Sequence, residues 1–311
     1  MLFQPIFGSA NMYFDPSMKY AAIDIGSNAS RLLLCNVLEE SGETHFKKAE
    51  LIRIPLRLGE DAFITGKISP QKAEKFSKTM NAFKLLLDVY EPVSYRACAT
   101  SAMRETANGI DIIERIRKEC DLRIEIISGR EEADIIYSNH VEEHLDKNRS
   151  YLYIDVGGGS TEVTLFAGGR MLVSQSFDIG TIRWLNKLVD KQKWYEFKDW
   201  VRMITLGHQP LTAIGSGGNI NKLFKLLGRK DGKPLSFDKL KELYTEMKPH
   251  TVEERIEIWN LNPDRADVIV PAAKIFLGIM KAAQIQEIIV PEIGLADGLV
   301  HQMHEKQKVA A

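Results

Sequence analysis

The sequence predicts an α/β fold in two domains of similar plan, and three observations carry that expectation. Strand-like and helix-like segments alternate along the chain; an apolar hairpin near residue 20 recurs near residue 151; and 311 residues, at roughly 150 per domain, leave room for two domains. Residues 1–17 lack the basic start and long apolar core of a signal peptide, so they are expected to form a loosely ordered leader ahead of Met18, the ancestral start. Then Tyr20-Ala-Ala-Ile-Asp24-Ile-Gly26-Ser27-Asn28-Ala29-Ser30, followed by Arg31-Leu-Leu-Leu, reads as strand, turn and strand. Setting Tyr20 on Tyr151 brings Asp24 onto Asp155, Gly26 onto Gly157, Ser30 onto Thr161 and Leu34 onto Leu165, at a constant offset of 131 residues. Two copies make no solenoid; they point to two domains, each opening with a hairpin whose turn carries Asp and Gly.

Helical patterns are expected over Pro70–Tyr90, Gly109–Cys120, Glu131–His144, Ser236–Met247 and Pro271–Ala283. Short strands are expected over Val93–Ala99, Leu122–Ile127, Thr212–Ile214 and Glu287–Val290. The domains are drawn at 18–137 and 138–311, with the polar stretch His144–Ser150 near the junction and the last helix free to pack back on the first domain. The cleft between them is the default site for a ligand.

Hydrophobic residues at 44% and charged residues at 27% fit a globular chain with a sizeable core and exclude a disordered or fibrous one. A net charge of −1 argues against wrapping duplex nucleic acid, so a polyanionic partner needs a local basic patch. Cys35, Cys98 and Cys120 are odd in number, widely spaced and without a CxxC pair, so they suggest neither a disulfide framework nor a zinc site, and a reducing cytoplasm is the default. No apolar run approaches the length of a membrane span. His140/His144 and His301/His304 have helical ligand spacing without a companion motif and read as surface residues. No Gly-x-Ser-x-Gly or cysteine-centred motif points to a nucleophilic enzyme.

The strongest chemical signal is Asp155-Val-Gly157-Gly158-Gly159-Ser160-Thr161-Glu162. Three glycines let backbone N–H groups cradle phosphate oxygens, and Ser160 and Thr161 add hydroxyls. Asp155 and Glu162 beside that nest are hard oxygen ligands suited to magnesium. Gly26, Ser27 and Asn28 form the opposing half of the cradle. A third turn, Gly215-Ser216-Gly217-Gly218-Asn219, leads from a strand into a helix expected to begin near Ile220, the geometry that offers N–H groups to an anion. In Ser128-Gly-Arg-Glu131-Glu132, Ser128 and Glu131 fit a capping box, which leaves Glu132 free to act as a general base. Arg104 follows a short strand and is placed either to clamp phosphate or to pair with Glu105 or Glu114. Lys222, Lys225, Arg229, Lys230 and Lys233 crowd the stretch after the third turn, as a solvated helix end or as a landing strip for a long polyanion.

Together these motifs resemble the exopolyphosphatase and guanosine pentaphosphate phosphohydrolase family, a branch of the actin, sugar-kinase and heat-shock-chaperone ATPase superfamily. The resemblance runs from about Lys19 to Val300, through AIDIGSNASRLLL, RLGEDAF with a following GKISP, ATSAMRET, IEIISGREEA, YIDVGGGSTE, AIGSGGNI, RADVIVPAAKIF and VPEIGLADGLV in that order. It implies two actin-like (ribonuclease H-like) domains with an interdomain cleft. It implies Glu132 as the base, Arg104 as the family arginine, and Asp155 and Glu162 in binding Mg2+ and positioning water. It also implies phosphate held by the two hairpin turns, a homodimer, and hydrolysis of terminal phosphate from polyphosphate or from pppGpp without a covalent intermediate.

Ala29, Asn219, Pro271-Ala272-Ala273 and Ala296 depart from the family pattern, which bears on substrate preference and not on the carboxylates. The chain ends soon after the two-domain core, so the HD-type helical domain of long relatives is not expected. A shorter groove favours short polyphosphates or a nucleotide, and the basic stretch at 222–233 favours longer chains. The competing readings are a phosphotransferase of the sugar-kinase branch, for which no acceptor-sugar pocket is legible, and a non-catalytic sensor binding guanosine penta- or tetraphosphate.

Overall fold

Two mixed sheets carry the fold in the computed structural model, which describes residues 18–40, 43–139, 146, 148–228 and 233–310. The leader expected at 1–17, His140 and His144, most of the junction stretch, and Arg229 and Lys230 lie outside the described residues.

The first sheet is built from β1 (Met18–Ile25), β2 (Ser30–Glu40), β3 (Glu43–Ile54), β4 (Ser94–Ala99) and β5 (Glu125–Ile126), in the order β3-β2-β1-β4-β5. Around it lie α1 (Leu58–Thr65), α2 (Pro70–Tyr90), α3 (Ser101–Arg104), α4 (Gly109–Cys120) and α5 (Gly129–Tyr137). The second sheet holds β6 (Ser150–Val156), β7 (Thr161–Ala167), β8 (Arg170–Phe177), β9 (Leu211–Ser216), β10 (Leu235–Ser236) and β11 (Glu287–Ile289), in the order β10-β11-β9-β6-β7-β8. Its helices are α6 (Thr181–Leu185), α7 (Lys191–Thr205), α8 (Gly217–Leu226), α9 (Phe237–Met247), α10 (Val252–Trp259), α11 (Pro263–Ala266) and α12 (Ile269–Ala282), followed by α13 (Leu295–Ala310).

The repeat at offset 131 is visible as geometry. In both sheets an antiparallel hairpin is followed by a parallel partner, β1-β2 with β4 and β6-β7 with β9. Asp24 faces Arg31 across the first hairpin and Asp155 faces Glu162 across the second. Equivalent bonds close the turns: Gly26 N–H donates to Ala29 (3.1 Å) and Gly157 N–H to Ser160 (2.9 Å). The central strands are continuous apolar runs because helices cover them, and Leu152, Ile154 and Val156 sit in the larger core with Ile220, Phe224 and Phe276.

Local signals set the helix ends. Ser69 caps α2 by accepting the Lys72 N–H, with Pro70 at the first helical position, where a missing N–H costs nothing. Ser128 caps α5 by accepting the Glu131 N–H (3.1 Å), but the reciprocal half of the expected capping box is absent, because the Glu131 carboxylate pairs with Arg96 (2.9 Å). Helix α8 begins at Gly217, three residues before the expected start, since Gly217 turns sharply from strand to helix at φ +86°.

Two helices join the halves. From the second sheet, α13 returns to the first, where Leu295, Leu299, Val300 and Met303 pack with Tyr20, Leu33, Cys35 and Cys98. This return overturns the surface reading of His304, which is 2% exposed and sits edge-on to Tyr20 and Phe46. Ile135 of α5 joins that same cluster, whereas Tyr137 packs on Tyr151, Tyr153 and Phe166 of the second sheet. The cysteines are free, and among the described residues no helix is long and apolar enough to cross a membrane.

Candidate active site

The hairpin turns of both sheets meet at the floor of a cleft of about 390 Å³. A Cβ on Gly158 would fall 3.0 Å from the Ser27 Cβ, so a side chain there would push the touching turns apart. Gly26, Ser27, Asn28, Gly157, Gly158 and Ser160 line this floor, with Gly217 and Gly218 on one wall and Glu132 facing them from α5.

The carboxylates are placed by strand register. Asp155 ends β6 beside Ser216 of β9, whose hydroxyl donates to Asp155 Oδ2 (2.9 Å). Glu162 lies across the hairpin from Asp155 and accepts from Ser176 of β8 (2.7 Å). It lines a small cavity of about 10 Å³ behind Asp155, not the main cleft. Glu132 has an Oε2 with no solvent-exposed surface and no hydrogen-bond partner.

Burial, then Glu162, Asp155 and Asp24, push Glu132 well above the ordinary carboxylate range, with Arg104 opposing. Burial and Asp155 push Glu162 up to about 7. Burial also raises Asp155, against the Ser216 bond and Arg31. Three crowded carboxylates with raised pKa values mark a place short of positive charge.

That shortage predicts a pH dependence of stability. An acid whose folded pKa is raised binds a proton in the folded state that the unfolded chain has released, so its contribution is fully present below the unfolded value of roughly 4.5. It is lost as pH rises through the folded value, about 7 for Glu162. The metal-free protein should therefore lose melting temperature between pH 5 and 8, and Glu162→Gln should lose less. Thermal scans in chelator check this; equal losses in both proteins would refute it.

Several candidate residues have other roles. The Thr161 hydroxyl donates to the Ile179 carbonyl and is buried, so it offers nothing to phosphate. Gly215 packs against Ile288 and Ile220 in the core, where close approach of strand and helix leaves no room for a side chain. Ser216 orients Asp155 and does not line the cleft. Gly159 lies against Phe63 and Ser101 of the first domain. Arg104 pairs with neither Glu105 nor Glu114 and does not line the cleft; it donates to the Ile127 carbonyl (2.8 Å), and its charge lowers Glu132 and Glu162.

The cleft also holds a basic cluster that the motifs did not single out as a ligand site. Arg31 pairs with Asp24 and Arg53 with Asp264, while the guanidinium of Arg265 lies beside that of Arg31 over Gly218. Arg265 donates to Asn219 (3.1 Å), and among the described residues no carboxylate pairs with it. Burial and the charges of Arg53 and Arg31 push it down to about 9. Lys222 and Lys225 line the same wall, Lys225 paired with Glu292 (2.9 Å). The sequence signal was Arg31 just after a glycine turn and Arg265 beside Asp264, whereas Arg53 carried none; only the folded chain brings the three together.

An actin-like two-domain fold whose paired glycine turns and clustered guanidiniums share one cleft with Glu132 and Asp155 defines a phosphate-transfer enzyme. The Ppx/GppA phosphatase family model matches residues 39–307, and the chain belongs to that family. It is similar to exopolyphosphatase 1 of Mycobacterium tuberculosis, 25% identical over 304 residues, covering 91% of this chain and 87% of that one. The Mycobacterium leprae exopolyphosphatase 1 is 24% identical, with coverages of 91% and 88%. Among solved structures, an exopolyphosphatase from Cytophaga hutchinsonii superposes with a TM-score of 0.81 at 23% identity, covering 93% of this chain and 98% of that one. The Aquifex aeolicus Ppx/GppA family member gives 0.74 at 24% identity, with coverages of 94% and 99%. These structures share the fold.

Proposed function

We propose that the chain is an exopolyphosphatase that removes terminal phosphate from inorganic polyphosphate by attack of water deprotonated by Glu132. The observation that carries this reading is the unpartnered, sealed carboxylate oxygen of Glu132 in the wall of a cleft floored by phosphate-type turns. The terminal phosphoryl group sits between the turns at Gly26–Asn28 and Gly157–Ser160, where the N–H groups other than those of Gly26 and Gly157, which close the turns, take its oxygens. Arg31, Arg53 and Arg265 bind the following phosphates, and Arg265 contributes most because no carboxylate of its own has to be displaced. Water attacks phosphorus in line; its proton passes to Glu132, and the shortened chain leaves as the P–O bond breaks.

The donor set fits Mg2+. Asp155 and Glu162 are hard oxygen donors whose carboxyls burial raises, and among the described residues no cluster of three or more His, Cys, Asp or Glu side chains is arranged to hold an ion unaided. An ion held there would keep water ligands and lean on substrate oxygens. When bound it would neutralise charge on the phosphate oxygens.

The test is phosphate release from medium-length polyphosphate and from pppGpp with magnesium. In addition, Arg265→Met should raise KM for polyphosphate about 10- to 100-fold, the worth of one or two charge-assisted bonds. Wild-type protein that binds polyphosphate and releases nothing would replace the hydrolase reading with that of a sensor.

A further inference from the structure

The glycine turn of the second domain is held from behind by three consecutive residues. Thr181 N–H donates to the Gly157 carbonyl (3.0 Å), Ile182 N–H to Gly158 (2.9 Å), and Nε of Arg183 to Gly159 (2.7 Å). In a trans peptide the carbonyl and the following N–H point in opposite directions. Fixing these three carbonyls against α6 therefore turns the N–H groups of Gly158, Gly159 and Ser160 the other way, and Gly158 and Ser160 line the cleft. The first domain uses the same device with backbone donors alone: Gly59 N–H holds the Ser27 carbonyl (2.8 Å) and Arg57 N–H that of Asn28 (2.9 Å). Among the described residues, a side chain supplies the donor to these turn carbonyls at Gly159 alone.

That side chain is over-determined. Arg183 is 9% exposed, its guanidinium carbon lies 4.0 Å from the Phe63 ring centroid, and Nη2 pairs with Glu105. Phe63 and Glu105 belong to the first domain, and Arg183 does not line the cleft.

We propose that Arg183 is a positioning residue for phosphate release: braced by Glu105 and Phe63, it fixes the Gly159–Ser160 peptide so that the Ser160 N–H faces the transferring phosphoryl group. The inference rests on the hydrolase reading above. It also gives Glu105 a role, since that carboxylate aims the guanidinium across the domain junction.

The test compares steady-state polyphosphate hydrolysis in wild type, Arg183→Met and Glu105→Gln. Arg183→Met removes every donor and should lower kcat about 10²-fold, the scale for losing one preorganised donor to a developing charge, with KM changed less than about threefold. Glu105→Gln keeps an acceptor for Nη2 and leaves the Nε donor in place, so kcat should stay within about threefold. If Arg183→Met does not fold, Arg183→Lys, which keeps the charge without a donor at the Nε position, is read the same way. A lowered melting temperature with wild-type kcat, a loss confined to KM, or an equal loss in Glu105→Gln would overturn the proposal. Failure of the wild type to release phosphate would instead remove the reading on which it rests.

Discussion

Glu132→Gln should lower phosphate release from polyphosphate by about 10²-fold or more while binding persists, because general-base catalysis is worth about 10²–10⁴. Glutamine keeps the shape and cannot accept the water proton. The neighbouring carboxylates are each engaged elsewhere: Asp155 accepts from Ser216, Glu162, in the cavity behind it, accepts from Ser176, and Asp24 pairs with Arg31. The same change removes a charge that burial and the neighbouring Glu162, Asp155 and Asp24 all disfavour. At pH 8 the metal-free variant should therefore melt about 2–4 °C higher than wild type, equivalent to about 1 kcal/mol. Activity and stability move in opposite directions, a signature that simple misfolding cannot produce. Phosphate release, polyphosphate binding and melting temperature measured on one preparation check all three; undiminished release would exclude Glu132 as the base.

Gly298→Ala should be among the most disruptive single-methyl changes in the molecule. A Cβ there would fall on the Ile135 carbonyl oxygen, which is backbone and has no rotamer to yield. Nor can α5 retreat from α13, because at its other end Gly129 already lies where a Cβ would come within 2.6 Å of the Ser176 side chain on β8. The helix carrying Glu132 is thus wedged between α13 and the second sheet. Overpacking of this kind costs about 1–3 kcal/mol and more where backbone must shift, or roughly 2–12 °C in melting temperature. Because Ile135 is one helical turn from Glu132, kcat should fall with it, by about tenfold or more. A variant with wild-type melting temperature and kcat would show that α5 has freedom this packing denies it.

The hairpins were legible because they are local. Their glycines, alternating apolar residues and Asp–Gly turns lie within fifteen residues of one another, and the strand register that sets Asp155 against Glu162 follows from a turn closed by Gly157 and Ser160. The same locality made Thr161 and Gly215 look like phosphate ligands, since a pattern of small polar residues does not say which face of the strand looks inward. Thr161 turns to Ile179 and Gly215 to Ile288, partners from other segments of the chain. His304 was misread for a related reason: helical spacing cannot reveal that α13 leaves its own sheet to cover the other.

By itself, then, the sequence determined an α/β chain with two equivalent hairpins, the residue types for holding phosphate, and a carboxylate at the start of α5. Only the tertiary structure decided what those residues face. Arg31 and Arg53 meet Arg265, more than two hundred residues further along the chain, in one cleft, and Arg183 reaches Glu105 across the domain junction. The physical reason is that hydrogen-bonded turns form from neighbours in the chain, whereas a cluster of like charges and a brace between domains exist only once the packing of two cores has set the distance between them.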